Sequence, residues 1–237
     1  MNKELLLQHR IEFLSTHRGS KKSVDGIEYI DSDDARYKLA FPSSLEKCYE
    51  VPDEFKICLP DWVTADLNLP HRKLLRSITF MTLKVYIPGP HTNKDIVVKI
   101  ASSAEELEDF TIAQTEGFYG SSPEYQKKLE WLRKKNLMNF KNPNHLYLTA
   151  YYNDKPTGAA LSIIYENIIG INMLATIPEF REKGISTKII KFVSDYAKEN
   201  KIPTVTLQVD TDSYAHSFYL HHGFENIFKC REYIYEI

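Results

Sequence analysis

The most informative stretch of the sequence is the loop Arg181–Ser186, which lies between a strand-like run and a strongly amphipathic segment. A glycine in such a turn lets the backbone approach a ligand closely, and the free amides at a helix N-terminus attract an anion. Because many turns of this kind only start a helix, the loop alone does not establish a site. We predict that it cradles the phosphates of a cofactor through Arg181, Glu182, Lys183, Gly184, Ile185, Ser186 and Thr187.

A second segment, Asp212–Phe224, lies downstream of the loop and carries Ala215, Tyr219 and a Gly-Phe pair at fixed spacing. The loop resembles the R/Q-x-x-G-x-G/A loop of the GNAT N-acetyltransferase superfamily. The downstream segment is similar to that superfamily's N-x-x-A-x-x-x-Y-x-x-x-G-F pattern. Each motif alone is weak, but the two together are fairly specific. The resemblance covers about residues 95–237.

The resemblance implies an α/β (α+β) fold, with a mixed, mostly antiparallel, twisted sheet flanked by helices and a central parallel strand pair that splays apart. It also implies acetyl-CoA (CoA) as the cofactor, whose pantetheine arm inserts between the splayed strands like an additional strand. Asp212 aligns with a further cofactor-binding position of the family. The strand before the loop would pair with the arm through the backbone of Met173, Leu174, Ala175 and Thr176.

The resemblance further implies an N-acetyltransferase that moves an acetyl (acyl) group to the primary amine of a small molecule or peptide. A neutral amine would attack the thioester carbonyl directly in a ternary complex, and backbone amides near Leu174 would stabilise the oxyanion. Tyr219, which aligns with the family's tyrosine, would protonate the departing thiolate. The alternative for Tyr219 is a core aromatic role beside Phe218.

Two residues depart from the family's pattern. Ser186 stands where the family has Gly or Ala, and Asp212 stands where it has Asn. Serine is small enough to keep the backbone close to a phosphate, and its hydroxyl adds a donor. Asp212 can still cap a helix, but it lacks the donor of an amide, so a cofactor contact that needs this donor would be lost.

The general base is left unassigned. Some family members use a carboxylate on the bulged strand, whereas this chain has Asn172 among apolar residues there. Glu116 and Glu166 are candidates by position only, and a solvated surface carboxylate is the alternative for each. A water relay, or an amine that arrives neutral, needs no dedicated base. A sensor that holds acyl-CoA without turnover is therefore the second functional hypothesis.

Hydrophobic periodicity predicts the elements that position these residues. After the connector Ile87–Asp95, the predicted order is β-α-α-β-β-β-α-β-α-β-β. The elements are a strand at 96–101, helices at 104–116 and 123–138, strands at 146–152, 159–165 and 168–177, a helix from Gly184 to Asn200, a strand at 204–209, a helix capped by Asp212 that ends near His221, and two extended runs joined around Lys229–Arg231.

The connector predicts two domains, because it concentrates turn-forming residues between two apolar runs. Residues 95–237 would form the GNAT-like domain. Residues 1–90 would form a smaller β-rich unit, which the resemblance allows to be a degenerate GNAT-like unit because it has no second Arg-x-x-Gly loop. The predicted elements there are a helix at Leu5–Thr16 and strands at Tyr37–Phe41, Phe55–Leu59 and Ser77–Ile87.

Composition limits the function classes. The chain has 30 basic and 32 acidic residues and a net charge of -2, so bulk charge gives no reason to expect nucleic acid or an anionic membrane as a partner. The first residues contain no signal-peptide core or membrane span, which predicts a cytoplasmic location. No metal is expected, because neither the histidines nor the acidic residues have ligand spacing. We interpret the cysteines as buried thiols; they are Cys48, Cys58 and Cys230.

Overall fold

The computed structural model of the 237-residue chain describes residues 2–63, 69–89 and 93–236. The helices are α1 Lys3–His17, α2 Ala104–Tyr119, α3 Tyr125–Asn139, α4 Ile185–Glu199 and α5 Tyr214–His221. The strands are β1 Ser20–Val24, β2 Ile27–Asp31, β3 Leu39–Pro42, β4 Lys56–Pro60, β5 Arg72–Leu83, β6 Ile96–Ile100, β7 His145–Tyr152, β8 Lys155–Tyr165, β9 Ile168–Thr176, β10 Thr204–Asp210 and β11 Phe224–Tyr235. The predicted class, a mixed α/β fold, is confirmed.

Within the described residues, the chain forms two units. One comprises Met1–Thr82, Gln208–Leu220 and Glu225–Ile237, and the other comprises Leu83–Leu207 and His221–Phe224. The units therefore part after Thr82, and C-terminal residues belong to the first unit. The predicted break lies within the connector at 87–95, of which residues 90–92 fall outside the described residues.

The first unit has the strand order β1-β2-β3-β4-β11-β5. Its apolar core includes Ile27, Ile57, Leu59 and Tyr233, which lie on β2, β4 and β11. The hairpin of β1 and β2 was not predicted, because all five residues of β1 are exposed and lack an alternating pattern. Its turn nevertheless carries the Asp-Gly pair that favours a tight hairpin, and both of these residues have positive φ angles.

The prediction of two C-terminal runs joined around Lys229–Arg231 is wrong. The structure has one continuous strand, β11, that pairs antiparallel with β4 and places Cys230 opposite Pro60. The Asp61 amide also donates to the Lys229 carbonyl at 2.8 Å. The polar residues in the middle of β11 are thus held in a ladder by a partner strand that is distant in the sequence, which local periodicity does not reveal.

The second unit contains the strands β10-β9-β8-β7-β6 in this spatial order. The strands β6 to β9 pair antiparallel, and β9 pairs parallel with β10. The three strands predicted between 146 and 177 are confirmed and pair antiparallel in sequence order, although the first connection, expected at 153–158, consists of Asn153 and Asp154, both with positive φ. The predicted start of α2 is also confirmed, because Ser103 Oγ accepts from the Glu106 amide and Glu106 Oε2 accepts from the Ser102 amide.

A buried charge cluster holds α1 against the sheet of the first unit. Glu232 on β11 is fully buried, and its carboxylate accepts from Arg10 Nη2 at 2.5 Å and from Arg76 Nε at 2.7 Å. Burial alone would raise the pKa of Glu232, but Arg10, Arg76 and Lys56 outweigh it and lower the pKa below its ordinary value. Arg76 also contacts the exposed Asp210 at 3.3 Å.

We predict that Glu232→Ala lowers the free energy of unfolding by about 3–5 kcal/mol, because it leaves the buried Arg10 guanidinium without its counterion. The matched control is Asp210→Ala, which removes an exposed partner of Arg76 and should cost less than about 1 kcal/mol. Urea denaturation of the three proteins measures both effects. Equal losses in the two variants would contradict the role assigned to Glu232.

Candidate functional site

A bulge interrupts β9 close to its C-terminal end. Ala159 on β8 lies opposite Ala175, and Leu161 lies opposite Asn172. Two residues of β9, Met173 and Leu174, therefore face the single residue between Ala159 and Leu161 on β8. Met173 has a φ of 55°, in the left-handed region of backbone conformation that residues other than glycine rarely adopt. The extra residue of a bulge is left unpaired in the ladder, so β9 here offers backbone groups to a ligand.

The parallel pairing of β9 with β10 ends next to this bulge. The paired residues run from Ile168 with Thr204 to Ile171 with Leu207. The strand β9 continues to Thr176 beyond this ladder. The last residues of β9 thus have the arrangement predicted for Met173, Leu174, Ala175 and Thr176: they follow the end of the parallel ladder and include the bulge.

The N-terminus of α4 follows the 3-10 turn Pro178–Phe180 and the loop. Gly184 precedes the helix with a φ of 87°, the left-handed conformation that glycine adopts at no steric cost. Gly184 is the N-cap residue and has no side chain that could cap this helix end. The first amides of α4, which belong to Ile185, Ser186 and Thr187, therefore receive no hydrogen bond from an N-cap side chain, an arrangement that favours an anion at a helix N-terminus.

The charged side chains of the loop differ in their surroundings. Arg181, Glu182 and Lys183 are all exposed. The ammonium of Lys183 lies 5.0 Å from the ring centre of Phe180 and 5.6 Å from that of Tyr152, a cation–π arrangement. The lysine charge is thereby kept beside the loop, whereas Arg181 extends into solvent.

The hydroxyl of Ser186 joins the loop to the end of β9. Ser186 Oγ lies 2.9 Å from Thr176 Oγ1, and either atom can be the donor. If Thr176 donates, the proton of Ser186 is available to an anion at the helix end. At the next position, Thr187 Oγ1 lies 2.9 Å from Nε2 of the buried His222. The serine that departs from the family's pattern therefore connects two predicted parts of the cofactor site.

Tyr219 and Asp212 belong to the first unit, and the other predicted site residues belong to the second. Tyr219 lies on α5, and its ring is 5.4 Å from that of Phe218 in an edge-to-face arrangement. Burial raises the pKa of the Tyr219 phenol above its ordinary value. The side chain therefore stays protonated at neutral pH, which is the state required of a proton donor.

The prediction that Asp212 caps α5 is wrong. Ser213 Oγ accepts from the His216 amide at 3.1 Å and so caps the helix. Asp212 is exposed and has a φ of 60°, which turns the chain before the helix. Its own amide donates to His216 Nδ1 at 3.3 Å. Asp tolerates the left-handed region better than most residues, and this gives a physical reason for its presence at the turn.

The two candidate bases lie at opposite ends of β9. Glu166 is exposed in the turn before Ile168. Since a strand rises about 3.3 Å per residue, Ile168 is roughly 20 Å from Leu174. Glu116 is half-buried on α2, next to Gly117. A Cβ added at Gly117 would lie 2.6 Å from Ala175 Cβ, so this part of α2 packs closely on the bulged end of β9.

The α2 helix contributes residues that were not predicted. It was expected to end at Glu116, but it continues through Gly117 to Tyr119. Gly117 lies in the predicted break between the helices at 104–116 and 123–138, whereas in the structure it belongs to α2 and its lack of a side chain lets the helix pack closely on β9. Gln114 is fully buried and donates to Met173 Sδ at 3.4 Å. The sequence signal that could have identified it is a glutamine at helical spacing from Leu107 and Phe110, on the apolar face of α2.

Other polar groups contribute little to this site. Cys48, Cys58 and Cys230 are buried free thiols, as predicted. In the part of the chain that the structure describes, no group of three or more His, Cys, Asp or Glu residues is arranged to hold a metal ion. Among the same residues, no helix combines the length and the apolar character needed to span a bilayer.

Comparison with known proteins agrees with this geometry. The profile of the Acetyltransferase (GNAT) family matches residues 105–224. No curated protein matches the chain. A GCN5-related N-acetyltransferase from Kribbella flavida is similar in structure, with a TM-score of 0.66 and 12% identity over 98% of this chain and 95% of that chain.

A functionally unknown conserved protein from Staphylococcus epidermidis has the same TM-score of 0.66, with 14% identity over 93% of this chain and 96% of that chain. At these identities the similarity shows a shared fold. It extends over nearly the whole length of each protein. The family profile spans α2 to the first residue of β11, so it includes both the loop and the segment that carries Tyr219. The chain belongs to the GNAT acetyltransferase family.

Proposed function

We propose that the protein is an N-acetyltransferase that moves an acetyl group from acetyl-CoA to the primary amine of a small molecule or peptide. One observation carries the proposal: the parallel ladder of β9 ends at a bulge, and the loop that follows β9 leads into a helix whose first amides have no side-chain cap. This combination offers strand-like pairing and an anion site along one stretch of chain. A ligand with an extended amide arm and a diphosphate has the matching chemistry.

We assign the pyrophosphate of CoA to the residues of the loop. The amides of Ile185, Ser186 and Thr187 would donate to it, and Arg181 and Lys183 would balance its charge. Gly184 keeps side-chain atoms away from the backbone at this point. Glu182 would contribute through its backbone, because its carboxylate is exposed and has the wrong charge for a phosphate.

We assign the pantetheine arm to Met173, Leu174, Ala175 and Thr176. Backbone groups of these residues would pair with the two amides of the arm, as a strand added to a sheet does. Acetyl-CoA supplies an acyl group on a good leaving group, so the chain itself has to hold the carbonyl and orient it. The amide of Leu174 is the donor we assign to the carbonyl oxygen, where negative charge develops.

We assign proton delivery to Tyr219. The assignment rests on the family motif, and the half-buried phenol keeps its proton at neutral pH because burial raises its pKa. A group that stays protonated can donate to the sulfur that departs. No carboxylate is assigned as base, because Asn172 occupies β9 and its Nδ2 donates to the Gly170 carbonyl. Glu116 is the nearer of the two candidates to the bulged end of β9, which favours it for a base acting through water.

The second candidate function is a sensor that binds acyl-CoA without turnover, and Asn172 in place of a carboxylate favours it. Thiol release from acetyl-CoA in the presence of a panel of small-molecule and peptide amines separates the two. The transferase predicts release that depends on at least one amine. Binding of CoA without release for every amine would support the sensor and overturn the transferase.

We predict that Gly184→Val abolishes measurable binding of CoA. Valine at a positive φ is strained, and its side chain would enter the space of the phosphates. The matched control is Gly26→Val, which introduces the same side chain at a φ of 80° in the turn between β1 and β2. Calorimetric titration with CoA should show a loss for Gly184→Val and unchanged affinity for Gly26→Val. Wild-type affinity in Gly184→Val would remove the loop from the binding site.

We predict that Ser186→Ala weakens CoA binding by about tenfold, as the loss of a hydrogen bond to a charged group does. Affinity for pantetheine, which lacks the phosphates, should not change. Ser194→Ala is the control, because Ser194 is a buried serine on the same helix but outside the loop. If Ser186→Ala weakens CoA and pantetheine equally, the hydroxyl acts on the arm and the assignment to phosphate is wrong.

We predict that Tyr219→Phe lowers kcat about 100-fold, a typical contribution of a positioned acid, and leaves CoA affinity nearly unchanged. Tyr214→Phe is the control on the same helix, because the Tyr214 side chain is 86% exposed. Steady-state kinetics and calorimetry on both variants provide the comparison. Turnover equal to that of the wild type in Tyr219→Phe would exclude Tyr219 as the proton donor.

A further inference from the structure

A chain of buried hydrogen bonds links α3, α2 and β7 to the bulge of β9. Gln114 is fully buried, and its Nε2 donates to Met173 Sδ at 3.4 Å. Asn136 Nδ2 donates to Gln114 Oε1 at 3.2 Å and to Thr111 Oγ1 at 3.0 Å. The Tyr147 hydroxyl donates to the Asn136 carbonyl at 3.2 Å. The last link of this network is the residue with positive φ in the bulge.

The position of Gln114 would suit an apolar residue if packing were its only role. Burial of a primary amide is unfavourable unless its donors and acceptor are paired. Here the acceptor Gln114 Oε1 is paired with Asn136 on α3, and the donor Gln114 Nε2 is directed at Met173 Sδ. Met173 in turn has a backbone conformation that surrounding contacts must hold in place. The glutamine therefore supplies a directional contact where the strand is strained.

The same helix contacts β9 on both sides of Leu174. Gln114 reaches Met173, and the backbone at Gly117 packs against Ala175. These two contacts are one turn apart on α2, so a single rigid element fixes both neighbours of Leu174. Leu174 itself is partly exposed. The arrangement holds the backbone of Leu174 while leaving it accessible.

We propose that Gln114 is a positioning residue, which holds the bulge at Met173 and Leu174 in the shape that receives the pantetheine arm. The inference rests on the proposed binding of acyl-CoA. Gln114 touches neither the arm nor the acceptor in this scheme; it acts through the Met173 thioether. The network through Asn136 fixes the rotamer of Gln114 and so determines the direction of its donor.

The test is a double-mutant cycle with Gln114→Leu and Met173→Leu, which remove the donor and the thioether and keep apolar bulk. Each single variant should raise the KM for acetyl-CoA and the Kd for CoA about fivefold, the effect of one neutral hydrogen bond. The double variant should lose no more affinity for CoA than either single variant does, because both changes break the same contact. Additive losses would overturn the inference.

Thr115→Val is the matched control, because Thr115 is equally buried on α2 but donates to the Thr111 carbonyl within its own helix. Its CoA affinity should match that of the wild type. An affinity loss equal to that of Gln114→Leu would show a general effect of α2 stability and overturn the positioning role. If Gln114→Leu does not fold, Met173→Leu alone tests the positioning role. Unchanged affinity for CoA in Met173→Leu would contradict the proposal.

Methionine methyl NMR gives a reading without cofactor. The sequence has 4 methionines, so the Met173 methyl signal can be assigned by its loss in Met173→Leu. The signal should shift in Gln114→Leu and stay unchanged in Thr115→Val. A shifted signal with wild-type CoA affinity would overturn the positioning role and leave the proposed function standing. Failure of the wild-type protein to bind CoA would overturn both.

Discussion

The second unit is organised around one interruption of hydrogen bonding, where the parallel ladder of β9 and β10 ends at Ile171 and Leu207. Backbone amides and carbonyls have to be paired when they are removed from water. A strand that continues past its ladder, with a bulge at Met173 and Leu174, presents such groups to a ligand. The interruption is therefore a cost to the sheet and, in the function that we propose, the reason that a ligand can bind there.

The neighbouring elements compensate for this interruption. The α2 helix holds the bulge from one side through Gln114 and Gly117. The hydroxyl contact between Thr176 and Ser186 joins the end of the strand to the start of α4. Gly184 then begins that helix without a side chain that could cap its first amides. Strand, loop and helix thus form one continuous surface, in which a strand-like arm and a diphosphate would bind consecutively along the chain.

The sequence predicted the elements that depend on interactions between nearby residues, and it did not predict those that depend on partners distant in the sequence. The β7–β8 hairpin and α4, with the glycine turn before it, depend on local pattern and turn chemistry, and they were predicted. β11 was predicted as two pieces, because the partner strand β4 that holds Lys229 and Cys230 in one ladder is far away in the sequence. β1 is exposed on every residue and gave no periodic signal.

The candidate site shows the same division. The loop at 181–186 was singled out from residues near each other in the sequence, and the bulge in the strand before it was implied by the family resemblance. The support for the bulge was not predicted, because Gln114 and Met173 are 59 residues apart. The cap of α5 was assigned to Asp212, although its neighbour Ser213 forms the hydrogen bond and Asp212 adopts a positive φ. Asp and Ser have similar preferences for the helix N-cap, so the sequence pattern alone does not show which of two adjacent residues forms the cap.

The most direct test of the central claim is amide hydrogen exchange in the presence and absence of CoA. Binding as described would place hydrogen-bond acceptors on the amides of β9 after the ladder and on the first amides of α4. We expect CoA to slow exchange at Leu174–Thr176 and at Ile185–Thr187 together. Unchanged exchange at both segments with CoA in excess would contradict the account.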